Sequence, residues 1–261
     1  MQISGEKTIT IKTERKIQMS ISATINKLQQ MKLYGMARAL KSTSELGFSG
    51  LGTDELLAHL VDSEWEERNT RRLARLLKAA KFRYQASTSE IDFCISRNLS
   101  KEAFLTFSDA AWIEKKKNII VTGPTGVGKS FVCSALGNSA CLYGYTTLYF
   151  NVQKLFSSLK LKKADGSYAN EIKKIEKASL IILDDFGLEK LDCASRLTLL
   201  EILEDRHGLA STIITSQLPV SAWHEVIGDP TIADAICDRI VNNSYRIELN
   251  GGSVRMKFKL D

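Results

Sequence analysis

The sequence predicts an α/β chain: a parallel sheet covered by helices on both faces, preceded by a small all-helical region. Three observations predict it. Short β-branched runs at Ile119 to Val121, Thr147 to Phe150, Leu180 to Leu183 and Thr212 to Thr215 alternate with helical patterns. The glycine-rich stretch Gly123 to Ser130 joins the first run to a helical segment reaching about Tyr143. Upstream, Thr53 to about Lys81 contains neither Gly nor Pro. Runs that are apolar from end to end suit strands buried on both faces, as in parallel sheets.

Bulk composition excludes several classes. With 261 residues, 44% hydrophobic content and three prolines, the chain is long and apolar enough for compact domains. Five cysteines (Cys94, Cys133, Cys141, Cys193, Cys237) are an odd number without a C-x-x-C pair, which argues against a disulfide framework or a zinc site and fits a reducing cytoplasm. His59, His207 and His224 are scattered and form no ligand cluster. Residues 1–20 alternate Ile with Lys, Thr and Glu; they lack a signal-peptide core and read as a loose tail or a short edge strand. No run of ~18 apolar residues is present, so no membrane span is expected.

The first structured region is helical and basic. Ile21, Ile25, Leu28, Met31 and Met36 recur at helical spacing, predicting a helix from Ile21 to Leu40 that gives way to Gly47, Gly50 and Gly52. A second helix opens with Thr53 as N-cap and Asp54 and Glu55 in its first turn. Along it, Arg68, Arg71, Arg72, Arg75 and Lys78 fall within one arc, followed by Lys81, while Leu73, Leu76, Leu77 and Ala80 take another face. Residues 1–118 hold 20 Lys+Arg against 14 Asp+Glu, whereas 119–261 hold 16 of each, so the whole net charge of +6 lies in the first part. Such a face either tracks DNA phosphates or is the solvated side of a helix docked through its leucines. We place a helical, basic DNA-binding and oligomerisation domain at 21–107 and a nucleotide domain at 108–261.

The nucleotide domain carries the chemistry. Gly123, Pro124, Thr125, Gly126, Val127, Gly128, Lys129 and Ser130 match G-x-x-x-x-G-K-[ST] at every fixed position, after a strand and before a helix. Backbone N–H groups freed by the glycines cradle phosphate oxygens, Lys129 reaches the β and γ phosphates of ATP, and Ser130 ligates Mg²⁺. Four apolar residues then lead into Asp184 and Asp185. Asp184 suits Mg²⁺, directly or through water, and Asp185 suits polarising the attacking water. The next apolar run ends in Ser216 and Gln217, placing Gln217, or else Ser216, near the γ-phosphate. Arg239 and Arg255 are candidates for the cation that meets charge developing on that phosphate, because a planar guanidinium pairs with phosphate oxygens. Spacing does not choose between them.

Taken together, these residues resemble the IstB-like ATPases, helper proteins of bacterial insertion-sequence transposition, close to the DnaC helicase loaders among AAA+ proteins. The resemblance spans nearly the whole chain. It rests on Gly123 to Ser130, Leu180 to Gly187, Glu204-Asp205-Arg206-His207-Gly208, Thr215-Ser216-Gln217-Leu218-Pro219 with Ala222-Trp223, Asp238-Arg239-Ile240 and Gly252-Ser253-Val254-Arg255. Upstream, Arg71-Arg72-Leu73, Ala79-Ala80-Lys81-Phe82 and Ile91-Asp92-Phe93 extend it. The resemblance implies a three-layer AAA+ core and ATP bound between subunits of a homo-oligomer, helical or ring-like. It further implies an assembly that deforms duplex DNA and stimulates a cognate transposase in a bacterial cytoplasm, at the nucleoid. By position, Gln217 becomes the first sensor, Arg239 the finger toward a neighbour's ATP and Arg255 the second sensor. Asp185 stands where many AAA+ proteins have Glu, and His207 where many members have Tyr. A helicase loader is the rival within the same fold; a small-molecule kinase and a nucleotide-gated scaffold are the rivals outside it.

Overall fold

The computed structural model describes residues 20–47, 52–93 and 98–254. The chain divides into two compact units, residues 1–74 and 75–261, with the division inside one long helix. Among the described residues, no helix is long and apolar enough to cross a membrane.

The first unit contains α1 (residues 20–30), α2 (Tyr34–Leu46) and the larger part of α3 (Thr53–Ala80). The single helix expected over 21–40 is therefore two. The chain turns at Lys32, whose φ of 62° is left-handed, and α2 starts from Leu33, which offers no capping oxygen. Glu64 of α3 supplies one instead: its Oε2 accepts from Gly35 N at 2.8 Å and Met36 N at 3.3 Å. A carboxylate there satisfies two otherwise unpaired donors and faces the positive end of the helix dipole. Residue 35 has to be glycine, because a Cβ would run into the Ser63 carbonyl and the Glu64 backbone. Apolar spacing is continuous across the break, so periodicity alone misses it. At the start of α3, Leu56 N donates to Gly52 O at 3.0 Å, which makes Thr53 a first-turn residue rather than the expected cap.

Among the described residues, the second unit is built on five parallel strands: β1 (Asn118–Thr122), β2 (Thr147–Asn151), β3 (Leu180–Phe186), β4 (Ser211–Ser216) and β5 (Ser244–Glu248). Their order in the sheet is β2-β3-β4-β1-β5. The four predicted apolar runs are strands, and β5 is the one the sequence reading did not isolate. Short helices α4 (Lys101–Ser108) and α5 (Ala111–Glu114) precede β1. The crossovers and returns are α6 (Lys129–Leu142), α7 (Val152–Ala164), α8 (Tyr168–Lys177), α9 (Cys193–Arg206), α10 (Trp223–Ile227) and α11 (Pro230–Val241).

Side chains alternate across the sheet and make two cores. Ile119, Val121, Leu180, Ile182 and Ile213 pack with α6 residues such as Val132 and Leu136. Ile120, Ile181, Leu183 and Ile214 pack on the other face with α7, α9 and α11 through Leu155, Leu199 and Ile236. This is the expected three-layer arrangement. Described residues between 82 and 107, which the sequence reading grouped with the helical region, belong to the first of these cores: Ala86, Ile91 and Phe104 are buried in it, and Phe82 abuts Gly137 of α6. The 107/108 boundary thus differs from the 74/75 division of the compact units. Their apolar residues are too thinly spread along a loop-rich stretch to show strand or helix periodicity.

One buried cation fastens the far end of the sheet. Arg206, at the end of α9, donates from Nη1 to the carbonyls of Ile175 and Ala178, both at 2.7 Å, and from Nη2 to Ser211 O at 2.6 Å. It caps the C-terminus of α8 and ties it to the start of β4, satisfying orphan carbonyls. Burial lowers its pKa to about 10, so it stays charged near neutrality.

Candidate nucleotide site

The phosphate loop lies between β1 and α6, at the C-terminal edge of the sheet. Gly123, Gly126 and Gly128 have φ of 147°, 88° and 95°, a region that side-chain-bearing residues rarely adopt. Gly128 is the N-cap of α6, so the loop delivers its amides directly to a helix N-terminus. The segment after β5 braces the loop: Val254 N donates to Gly126 O at 3.0 Å and Leu249 N to Thr122 O at 2.8 Å. Lys129 is buried, with Nζ donating to Gly123 O at 2.7 Å and Pro124 O at 2.9 Å.

Across the sheet, β3 brings Asp184 to the loop. Its Oδ1 accepts from Ser130 Oγ at 3.0 Å and Thr215 Oγ1 at 2.5 Å. Its Oδ2 accepts from the Tyr149 hydroxyl and from Arg83 Nη1, the latter at 3.4 Å. Burial, together with the bond to and charge of Asp184, pushes the Tyr149 phenol well above its ordinary range, so it acts as a donor. The pairing of β3 with β4 slips between Leu183 and Phe186, and Asp185 adopts a left-handed φ of 63°. Such a bulge re-aims a side chain. Here it turns Asp185 toward Arg83 Nη1 and Asn151 Nδ2, each 3.1 Å from Oδ2, while the Asp185 amide donates to Thr215 Oγ1 at 2.9 Å.

These groups border a cleft of about 340 Å³ whose wall includes Arg83, Lys129, Ser130, Asp185 and Gln217. Tyr84 and Phe131, ring centroids 6.1 Å apart, give it an aromatic side. Gln217 accepts from Thr125 Oγ1 at 2.6 Å, which sets its amide against the phosphate loop. The set of a serine hydroxyl and two carboxylates is the hard-oxygen donor set that Mg²⁺ takes, so these residues fit that ion.

The structure brings together the phosphate loop, Lys129, Ser130, Asp184, Asp185 and Gln217. It does not bring Arg239 there. That side chain forms a two-pronged pair with Glu204 at 2.5 and 2.9 Å and does not line the cleft. Arg255 lies outside the described residues. Arg68, Arg71, Arg72, Arg75, Lys78 and Lys81 are exposed along and just after α3, with Arg68 paired to Glu64 and Arg71 to Glu67, both at 2.7 Å. Sequence reasoning missed Arg83, Tyr149, Asn151 and Thr215. Asn151 and Thr215 sit at strand C-termini, which is a usable signal in a parallel sheet, but Arg83 is a basic loop residue outside any motif and carries none.

A parallel sheet in this order, with a phosphate loop after β1 and a carboxylate pair ending β3, defines a P-loop ATPase of the AAA+ fold. The profile of the IstB-like ATP binding protein family matches residues 26–261, and the chain belongs to that family. Among its relatives is the insertion sequence ATP-binding protein y4pL of Sinorhizobium fredii, 47% identical over 89% of this chain and 95% of that protein. The fold also matches the crystal structure of DnaI (TM-score 0.55, 23% identity, 67% of this chain and 93% of that one). The DnaC helicase loader matches with a TM-score of 0.50 and 20% identity, over 67% of this chain and 98% of that one.

Proposed function

We propose that this ATPase is a duplex-DNA-binding regulator of transposition that assembles on and deforms target DNA and stimulates a cognate transposase. The observation that carries the reading is the joining of phosphate loop and carboxylate strand through Ser130 and Asp184, in a chain nearly half identical to an insertion-sequence ATP-binding protein. The exposed basic side chains from Arg68 to Lys81 support contact with the phosphodiester backbone. On the same helix, Leu57, Val61 and Trp65 recur four residues apart and are more than half exposed, which supports self-association through the helical region.

Ser130 and Asp184 would hold Mg²⁺, which neutralises phosphate charge when bound. Lys129 exchanges its loop carbonyls for phosphate oxygens, Asp185 orients the attacking water, and Gln217, tethered to Thr125, senses the γ-phosphate. Arg239 acts across a subunit interface, where leaving Glu204 frees its guanidinium for a neighbour's ATP; Arg255 completes the site as second sensor. Likeness to the DnaC loader is one of fold, whereas the sequence relatives are insertion-sequence proteins, so transposition is favoured over helicase loading. The protein acts in the bacterial cytoplasm, at the nucleoid.

The test is mass measurement in solution with duplex DNA, ATP and Mg²⁺. An ATP-dependent nucleoprotein complex of several subunits, retained by immobilised transposase and not by replicative helicase, is expected. A chain that stays monomeric with all three added overturns the reading.

A further inference from the structure

Asp184 has no acceptor position to spare. It takes four hydrogen bonds, from Ser130, Thr215, Tyr149 and Arg83, and a carboxylate offers about four lone-pair sites. A divalent ion that ligates Asp184 therefore displaces one of these donors. Thr215 is fully buried and its hydroxyl is held at its other end by the Asp185 amide. Tyr149 is a firm donor packed edge-on against Phe82 at 6.4 Å. Ser130 joins the ion's own shell. Arg83 makes the longest of the four bonds, keeps 41% of its side chain exposed, and is the one charged donor of the four.

We infer that Arg83 is the exchangeable partner of the carboxylate pair: its guanidinium and the divalent ion compete for Asp184 and Asp185. Displaced, it stays at the cleft wall it already forms beside Lys129. Two positive groups cannot share these oxygens without strong repulsion. The guanidinium stays charged throughout, because burial opposes its charge less than Tyr84, Tyr149 and the two carboxylates support it. Arg83 is thus a positioning residue that holds Asp185 on its left-handed bulge until the ion takes over. This inference rests on the nucleotide reading of the cleft.

The test is a Mg²⁺ titration of the full chain with a fluorescent ATP analogue, read as the metal concentration at half-saturation. In Arg83→Ala the half-point is expected to fall roughly three- to fivefold, the weight of a half-exposed ion pair. Arg83→Lys keeps the charge and is expected to stay near the unaltered chain. An unchanged or higher half-point in Arg83→Ala overturns the exchange, and a rise is what a purely structural prop would give. If Arg83→Ala does not fold, the unaltered chain decides: the Arg83 Nε–Hε resonance is expected to shift on adding Mg²⁺ at saturating nucleotide, and an unmoved resonance overturns the inference. Failure of the unaltered chain to bind nucleotide would instead sink the nucleotide reading, and Mn²⁺ binding followed by electron paramagnetic resonance then carries the same comparison of variants.

Discussion

Ser130 Oγ lies 3.0 Å from Asp184 Oδ1, and this hydrogen bond joins two segments 54 residues apart into one polar unit. The bond exists because β3 and β1 end at the same edge of the sheet with β4 between them. It places a hard-oxygen pair next to the phosphate loop that carries Lys129, so the phosphate and metal binding proposed above would draw on the same two strand ends.

Lys129→Ala removes the buried ammonium from that unit. Hydrogen bonds to charged groups contribute about 1.5–3 kcal/mol each, so nucleotide affinity is expected to fall at least ~10-fold to 100-fold. Nucleotide-dependent assembly should be lost with it. Calorimetric titration checks the first effect and light scattering the second; retained assembly contradicts the role given to Lys129.

Asp185→Asn separates binding from turnover. Asparagine tolerates the left-handed φ of 63° and keeps an oxygen for Arg83 and Asn151, so folding and ATP affinity are expected to hold. The carboxylate proposed to polarise water is gone, and turnover should drop by about 10²-fold or more. Phosphate release together with a melting curve checks both halves, and hydrolysis near the unaltered rate would remove Asp185 from the chemistry.

Much of this candidate site is legible in the sequence, and the reasons are specific. Gly123 to Ser130 and the Leu180 to Asp185 run are contiguous, so a linear reading finds them. The partners of Asp184 are not: Arg83 is 101 residues away in sequence and Tyr149 is 35. Sheet order brings Tyr149 of β2 beside β3, and the packing of Phe82 on α6 brings in Arg83. In the fold, the apolar runs revealed four strands because parallel strands are apolar throughout, while β5, with Ser244, Arg246 and Glu248, is an edge strand with polar alternation and escaped notice. The break between α1 and α2 escaped for another reason. It is fixed by Glu64, a residue of a different helix, and no local propensity encodes it.

That long-range cap makes the helical unit sensitive to acid. Burial would raise the Glu64 pKa, but the hydrogen bond from Arg68 and those from the Met36 and Gly35 amides outweigh it and leave it lowered from 4.5. A carboxylate with a depressed pKa contributes stability that is fully present above its unfolded pKa and is lost as pH falls through the folded one. Glu64→Gln is therefore expected to flatten the pH dependence of unfolding below pH 4.5, measured by circular dichroism. Gly35→Ala, which drives a methyl into the Ser63 carbonyl, should cost about 1–3 kcal/mol in the same assay.

Arg206→Met tests the suture between α8 and β4. The substitution keeps apolar bulk but leaves the carbonyls of Ile175, Ala178 and Ser211 without their donor. Each buried group left unpaired costs roughly 1–3 kcal/mol, so a loss of about 3 kcal/mol or more is expected in denaturant unfolding. Arg206→Lys should recover only part, since a single ammonium cannot span carbonyls on both sides of the fork. A neutral Arg206→Met would mean that water replaces the guanidinium.

Reversing Arg71, Arg72 and Arg75 to Glu tests the basic face of α3. Each cation that neutralises a DNA phosphate releases counterions, and removing it lowers the slope of log affinity against log salt by about one. Three such contacts predict a slope shallower by ~3 and weaker binding across all duplex sequences alike. ATP affinity should not change, because none of the three lines the cleft. Arg71 also pairs with Glu67 at 2.7 Å and lies 4.5 Å over the Tyr34 ring, so its reversal carries a stability cost that a melting curve separates from the loss of binding. Arg72→Glu and Arg75→Glu made together should lower the slope by about two. If the slope stays where it was, DNA is held by another surface and the charge on this helix is only its solvated face.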